Sequence, residues 1–120
     1  MENTELIKKC VELCNRCIED CLLAANQNQV IPGMDECVRL SLLCAHECEV
    51  LVKLSGDKKQ VSGALYDRCM AACANCAAEC EHHLYDHCRR CAASCRKFQL
   101  TYIFESYKLQ QPIYQHYAKA

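Results

Sequence analysis

Fourteen cysteines are the side chains of this 120-residue chain best suited to chemistry, and their spacing is regular. The segment from Cys69 to Cys80 carries four of them, at successive offsets of four, three and four residues. On an α-helix, these offsets place all four thiols within an arc of roughly 60°. Alanine fills most of the gaps, and neither Gly nor Pro interrupts the segment. The pattern therefore predicts a helix with thiols along one face.

The same spacing recurs along the chain, so that every cysteine belongs to one of four stripes. The stripes are Cys10-Cys14-Cys17-Cys21, Cys37-Ser41-Cys44-Cys48, Cys69-Cys73-Cys76-Cys80 and Cys88-Cys91-Cys95-Phe98. Serine replaces one cysteine in the second stripe, and phenylalanine ends the sulfur row of the fourth. The alternation by two that a strand would need is absent. We expect four helices that each turn one row of thiols towards a shared interior.

Composition and charge place these helices in one domain. The chain is 52% hydrophobic, which suffices for one core, so residues 1–120 are interpreted as a single domain. Its 14 basic and 15 acidic residues nearly cancel, and the basic ones are scattered, which argues against a nucleic-acid-binding surface. The N-terminus lacks the basic and apolar regions of a signal peptide, and no apolar run is long enough for a membrane span. We therefore expect a cytoplasmic protein whose reduced cysteines are metal ligands rather than disulfide partners.

Turn and capping signals set the helix boundaries. Pro32-Gly33 marks the first turn, Ser62 is a candidate N-cap for the third helix, and Pro112 gives the last helix its latest end. The expected helices span about 4–25, 35–54, 64–83 and 87–110, with a C-terminal tail at 111–120. These elements predict an all-α fold, an antiparallel up-down-up-down four-helix bundle with the cysteine stripes facing the core.

Antiparallel stacking of the stripes predicts layers of four residues. From top to bottom, the layers are Cys21, Cys37, Cys80 and Cys88; Cys17, Ser41, Cys76 and Cys91; Cys14, Cys44, Cys73 and Cys95; and Cys10, Cys48, Cys69 and Phe98. The expected lower end is an apolar plug of Leu6, Val52, Tyr66 and Tyr102. The upper end is expected to be open, with further ligand types in Met34, His82, His83 and His87.

Sulfur in this number indicates a soft metal, because thiolates select Cu(I), Zn(II) and iron–sulfur clusters. Structural zinc sites wrap four ligands around one ion, and iron–sulfur sites use a curled loop, so rigid helical stripes suit neither. Cu(I) is stable with only two sulfur ligands, and bridging thiolates allow many ions to line one channel. We therefore predict that multiple Cu(I) ions bind the thiolates of Cys10, Cys14, Cys17, Cys21, Cys37, Cys44, Cys48, Cys69, Cys73, Cys76, Cys80, Cys88, Cys91 and Cys95.

Other classes of function stay open at this point. The sharpest competitor is a zinc site made of Cys80, His83, His87 and Cys91, and an iron–sulfur module is another alternative. A thiol redox or metal-sensing protein would need an exposed thiol of low pKa, whereas these thiols are predicted to be buried. We expect no enzyme activity, because the sequence has neither a glycine-rich phosphate loop nor a Ser-His-Asp order.

The histidines near the upper end have two interpretations. His82, His83 and His87 are either solvated corner residues or ligands through which metal is loaded. Met34 is either loop packing or a soft ligand at the same mouth. We take His83 and His87 as candidate metal ligands, with Met34 and His82 as further candidates. His46 and His116 have no comparable setting and are interpreted as surface residues.

The repeated Cys-x3-Cys-x2-Cys-x3-Cys stripes, together with the His-Leu-Tyr-Asp-His-Cys-Arg-Arg-Cys-Ala-Ala-Ser-Cys-Arg-Lys segment that ends at Lys97, resemble the bacterial copper storage proteins. The resemblance covers about residues 4–98 and is closest to the family's signal-less cytosolic branch. It implies Cu(I) storage along the bundle axis, loading through a mouth with His and Met ligands, and a homotetramer. Copper would come from a chaperone or a small thiol. Ser41 and Phe98 interrupt the family's cysteine rows, which implies a smaller load and a sealed lower end.

Because reduced cysteines pack as apolar groups, we predict that the metal-free protein is already helical. Far-ultraviolet circular dichroism of the reduced, chelator-treated protein should show a helical spectrum that changes little when Cu(I) is added. A disordered chain that folds only with metal would contradict this prediction.

Overall fold

Four helices make up most of the structure, a computed structural model that describes residues 2–56 and 61–110, with side chains at 5–56 and 61–108. They are α1 (Glu2–Asn28), α2 (Asp35–Gly56), α3 (Gly63–Cys80) and α4 (Asp86–Gln110). The expected all-α class is confirmed, and the tail expected at 111–120 lies outside the described residues. Within those ranges, none of the helices has the length and apolar character needed to cross a lipid bilayer.

The helices pack in a ring, with α1 against α2, α2 against α3, α3 against α4, and α4 against α1. Side-chain contacts between α2 and α3 run from Cys37 with Cys80 to Cys48 with Cys69, so residue numbers rise in one helix as they fall in the other. The same opposite order holds between α1 and α4. Neighbouring helices are therefore antiparallel, and the predicted up-down-up-down bundle is confirmed.

The helix ends differ from the predicted bounds by three residues at two places and by at most two residues elsewhere. α1 continues through the polar run after Ala25 and ends at Asn28, while α3 ends at Cys80, before the histidine pair. The first connection turns at Gly33, whose φ of 81° is a left-handed conformation that suits glycine. Ser62 caps α3 as expected, since its side chain accepts a hydrogen bond from the backbone N–H of Leu65.

The core of the bundle consists of thiols surrounded by small residues. All fourteen cysteines are buried, each at most 1% exposed. Alanines such as Ala24, Ala45 and Ala77 fill the spaces beside them and are equally buried. Small side chains on facing helices let the backbones approach closely, and alanine also favours helix most strongly. The same residues thus form the helices and bring their sulfur rows together.

The lower end of the bundle is closed by aromatic and aliphatic side chains. Phe98 is completely buried, and Leu51 is almost so. The ring of Tyr102 stacks on Tyr66, with 4.7 Å between ring centroids, and lies 6.4 Å from the ring of Phe98. Leu6 is also buried beneath the thiols. The expected apolar plug is therefore present at this end.

Polar clamps on the outer surface join neighbouring helices. Asp20 of α1 accepts hydrogen bonds from the Ser94 hydroxyl and from the Arg90 guanidinium of α4. Glu47 of α2 pairs with Arg68 of α3 at 3.0 Å. Both carboxylates are largely buried, so each needs the partner that it has. These pairs join neighbouring helices from outside, and the described residues that line the thiol column carry no charged side chain.

Replacing Phe98 with alanine should destabilise the metal-free bundle by about 3–5 kcal/mol, because a fully buried ring leaves a cavity above the plug. Chemical denaturation monitored by circular dichroism would measure the loss. Phe104→Ala is the matched control, since this ring lies on the same helix and is 61% exposed. Equal effects of the two substitutions would contradict the assigned plug.

Candidate metal centre

The fourteen cysteines are free thiols whose sulfur atoms form a column along the bundle axis. Each helix contributes because its stripe repeats every three or four residues, which keeps the sulfurs on the inward face. Neighbouring sulfurs from different helices lie between 3.3 Å, for Cys21 and Cys91, and 3.9 Å, for Cys14 and Cys69. A disulfide would need about 2.05 Å, so these contacts are packing distances between reduced thiols.

Three of the four stripes have the predicted register. Between α2 and α3, the sulfur or oxygen pairs are Cys37 with Cys80, Ser41 with Cys76, Cys44 with Cys73, and Cys48 with Cys69. Towards α4, Cys76 meets Cys91 and Cys44 meets Cys95, again as expected. Helices α2, α3 and α4 therefore stack in the layers predicted from spacing alone.

The predicted register of α1 is wrong by one step of its stripe. Cys21 contacts Cys91 rather than Cys88, and Cys14 contacts Cys69 rather than the layer of Cys44. The connection between α1 and α2 explains the shift, because α1 continues one turn further than expected before the chain reverses. Every α1 cysteine consequently lies one layer lower than predicted.

This shift brings sulfurs together in tight groups. Cys21, Cys76, Cys91 and Cys95 have ligand atoms within 4.8 Å of one another, and three further groups contain three thiols each. The groups of three are Cys14, Cys48 and Cys69; Cys17, Cys73 and Cys95; and Cys44, Cys48 and Cys73. Because Cys48, Cys73 and Cys95 each belong to two groups, adjacent metal ions can share a bridging sulfur.

Asn28 occupies the upper end of the column, where a thiol of α1 was expected. Its side chain is 1% exposed, and its amide nitrogen donates to the sulfurs of Cys37, at 3.3 Å, and Cys88, at 3.5 Å. The Nε2–H of His87 donates to the Asn28 amide oxygen at 2.6 Å. The last α1 position before the mouth is thus a hydrogen-bond donor aimed at two thiols.

Asn28 was not among the predicted site residues, although the sequence contains a signal for it. The stripe of α1 continues in phase from Cys21 to Ala24 and then to Asn28, at the same offsets of three and four residues. The polar Asn-Gln-Asn-Gln run led to an expected helix end at Ala25. A helix one turn longer would have placed this side chain above the thiols.

The upper histidines and Met34 lie in different environments. His87 is half-buried against Asn28 and stacks on Tyr85, whereas His83 pairs with Glu79 at 2.9 Å. His82 is exposed on the outer surface. Met34 is 3% exposed and belongs to the core. Of the three histidines, His87 is the one whose described contacts join it to the thiol column.

The four residues of the alternative zinc site do not form one group of ligands. Cys80 contacts Cys37, and Cys91 contacts Cys21 and Cys76. In the described part of the chain, the groups of three or more close ligand atoms consist of cysteines only. α3 ends before His83, so the continuous helix face on which that site depended is interrupted.

Burial disfavours the charged form of these thiols. Burial raises the pKa of Cys10 to about 12, with further contributions from Cys69 and Glu105. The pKa of Cys37 is raised to about 11, again first by burial. A thiol must lose its proton to become a strong metal ligand, so metal binding here releases protons and strengthens as the pH rises.

Comparison with known proteins agrees with this geometry. The family model described as "Copper storage protein" matches residues 2–101. The "Uncharacterized cysteine-rich protein YhjQ" of Bacillus subtilis (strain 168) is 31% identical over 83 residues, which are 69% of this chain and 73% of that protein. Among solved structures, "Cu(I)-bound Copper Storage Protein BsCsp3" aligns with a TM-score of 0.76 at 24% identity, over 83% of this chain and 97% of that one. With a family match over most of its length, the chain belongs to the copper storage protein family.

Proposed function

We propose that this protein stores copper by binding multiple Cu(I) ions through the thiolates of its core. The observation that carries this proposal is the column of fourteen buried, reduced thiols, eleven of which lie 3.3–3.9 Å from a sulfur on another helix. Membership of the copper storage protein family and the Cu(I)-bound state of the related structure support it. The role is sequestration, with no catalytic step.

Charge distinguishes Cu(I) from a divalent metal in this core. One Cu(I) ion cancels the charge of one thiolate, so the whole column can fill without net charge. A divalent ion with four thiolates leaves two negative charges, and no cationic side chain reaches the described interior to compensate them. Buried uncompensated charge is costly. The interior is therefore suited to many monovalent ions rather than to a few divalent ones.

The proposed ligands are the fourteen cysteines, and they are loaded from the upper end. Each Cu(I) ion that binds replaces a thiol proton, which leaves to solvent, and the ion then moves down the column by exchange between neighbouring sulfurs. Shared sulfurs between adjacent groups support this transfer, because each exchange needs only a short movement. The closed aromatic plug supports loading from above rather than from below.

His87 is the proposed ligand at the mouth, with His83, His82 and Met34 as further candidates. Its contact with Asn28 supports this role, since Asn28 in turn contacts Cys37 and Cys88. His83 would first have to leave Glu79, and Met34 would have to turn out of the core. His87 is therefore the candidate that needs the smallest rearrangement.

We also propose where the protein works, what delivers its copper and how it assembles. Fourteen free thiols would be oxidised in an oxidising compartment, which supports a cytoplasmic location. A copper chaperone or a small thiol would deliver the ion, because exchange between sulfur ligands avoids free copper. The homotetramer rests on resemblance to the family, and light scattering in solution would measure it.

We predict that the reduced protein binds many more Cu(I) ions than one per four thiols. Titration against a competing Cu(I) chelator, under anaerobic conditions, would give the stoichiometry, and a parallel titration with Zn(II) provides the comparison. Zn(II) should saturate at one or two ions, because one group in the described chain offers four close sulfurs. Saturation with one or two Cu(I) ions, or tighter filling by zinc, would contradict storage.

Replacing His87 with alanine should slow copper loading several-fold and change the final capacity by at most one ion. The reason is that the thiols that set capacity are untouched, while the ligand next to Asn28 is lost. Stopped-flow transfer from a Cu(I)–chelator complex would measure the rate. His46→Ala, at an exposed position of α2, is the control. Equal rates for both variants would exclude His87 from the loading path.

A further inference from the structure

Tyr66 carries an unpaired hydroxyl at the lower end of the thiol column. The side chain is 6% exposed, and its Oη is buried with no hydrogen-bond partner among the described residues. A buried hydroxyl without a partner destabilises the fold, and most such groups in proteins are paired. Phenylalanine at this position would fill nearly the same space without that cost. The hydroxyl therefore calls for a role that the metal-free packing does not supply.

The surroundings of this hydroxyl include the lowest thiols of α1, Cys10 and Cys14. Cys14 contacts Cys69 of α3 at 3.9 Å, and Cys10 and Tyr66 each lie one helical step below these two residues, so the register places Cys10 beside Tyr66. Burial raises the pKa of the Tyr66 phenol, and Cys10, Tyr102 and Cys14 contribute further, in that order. Cys10 is 1% exposed and belongs to none of the close sulfur groups. The downward shift of α1 brought Cys10 into the predicted plug, beside Tyr66.

The orientation of the phenol is fixed by its neighbours. Its ring stacks on Tyr102 at 4.7 Å, with the two planes inclined by 20°. A stacked, buried ring cannot turn its hydroxyl towards solvent without breaking the plug. The Cys10 side chain, by contrast, has one rotatable bond that swings its sulfur between staggered positions. The Cys10 sulfur can therefore turn towards the Tyr66 hydroxyl, whereas the hydroxyl itself stays in place.

We propose that Tyr66 is a positioning residue for the lowest copper ion, and that its hydroxyl donates a hydrogen bond to the Cys10 sulfur once copper has displaced the thiol proton. This inference rests on the proposed storage function. In the step, Cu(I) forms a bond to sulfur, the S–H bond breaks, and the proton leaves to solvent. The phenol keeps its own proton throughout.

The two metal states differ in how well sulfur accepts a hydrogen bond. A neutral thiol is a weak acceptor, so the hydroxyl gains little from it in the metal-free protein. A sulfur bound to Cu(I) keeps partial negative charge although the Cu(I)–thiolate pair is neutral overall, so it accepts a stronger hydrogen bond than a neutral thiol does. Cys10 thus gains a second stabilising contact only when copper is bound. A copper ion can then bind below the group of Cys14, Cys48 and Cys69.

The test compares Tyr66→Phe with Tyr102→Phe, which removes a hydroxyl from the partner ring in the same stack. In Tyr66→Phe, the affinity for one copper ion should fall roughly tenfold, as measured by competition with a chelator near saturation. The melting temperature of the metal-free protein should stay the same or rise, because an unpaired hydroxyl is lost. The melting temperature of the copper-loaded protein should fall. Tyr102→Phe should show neither the affinity loss nor this opposite pair of shifts.

A second pair of variants ties the effect to Cys10. Cys10→Ala removes the proposed acceptor, so adding Tyr66→Phe to it should cause no further loss of copper affinity. If Tyr66→Phe binds every copper ion with the affinity of the wild type, the inference is overturned while the storage function stays intact. Equal destabilisation of metal-free and loaded Tyr66→Phe would assign the hydroxyl a purely structural role and also overturn it. Failure of the wild-type protein to bind multiple Cu(I) ions would instead refute the storage function itself.

Discussion

The whole structure depends on the two chemical states of the buried thiol. As a neutral group, cysteine packs like a small apolar residue, so fourteen of them can fill a core without hydrogen-bond partners or counter-ions. As a thiolate, the same atom is a soft metal ligand. Burial raises the pKa of Cys10 and Cys37, which keeps these thiols in the neutral packing form until a metal displaces the proton. Fold and binding capacity therefore reside in the same atoms.

This double use explains why charge is kept on the outside of the bundle. The carboxylates of Asp20 and Glu47 are paired with partners on neighbouring helices and stay at the outer surface of the ring. A carboxylate or an ammonium group inside the column would either need its own partner or impose its charge on the metal content. Monovalent copper on thiolate adds no charge, so the described interior can be apolar both empty and full.

The two ends of the column differ in chemistry, and this difference gives the bundle a direction. At the top, Asn28 and His87 place hydrogen-bonding groups next to Cys37 and Cys88. At the bottom, Tyr102 and its neighbouring rings close the axis. Polar groups at one end can exchange ions with solvent or a carrier, whereas stacked rings exclude both. The longer α1 helix contributes to each end, since it supplies Asn28 above and lowers Cys10 below.

The sequence by itself determined the four helices, their antiparallel order and the inward thiol rows, because spacings of three and four residues fix a helix face whatever its neighbours are. It also determined the register of α2, α3 and α4, including the contact of Ser41 with Cys76. The register of α1 was decided only in the tertiary structure, since sliding one helix by a stripe step keeps every thiol inside and leaves the pattern unchanged. The place of Asn28 above the thiols and that of Cys10 beside Tyr66 follow from that slide. Local periodicity carries no information about axial offset, which depends on where the connecting turn falls and on how the side chains of four helices fit together.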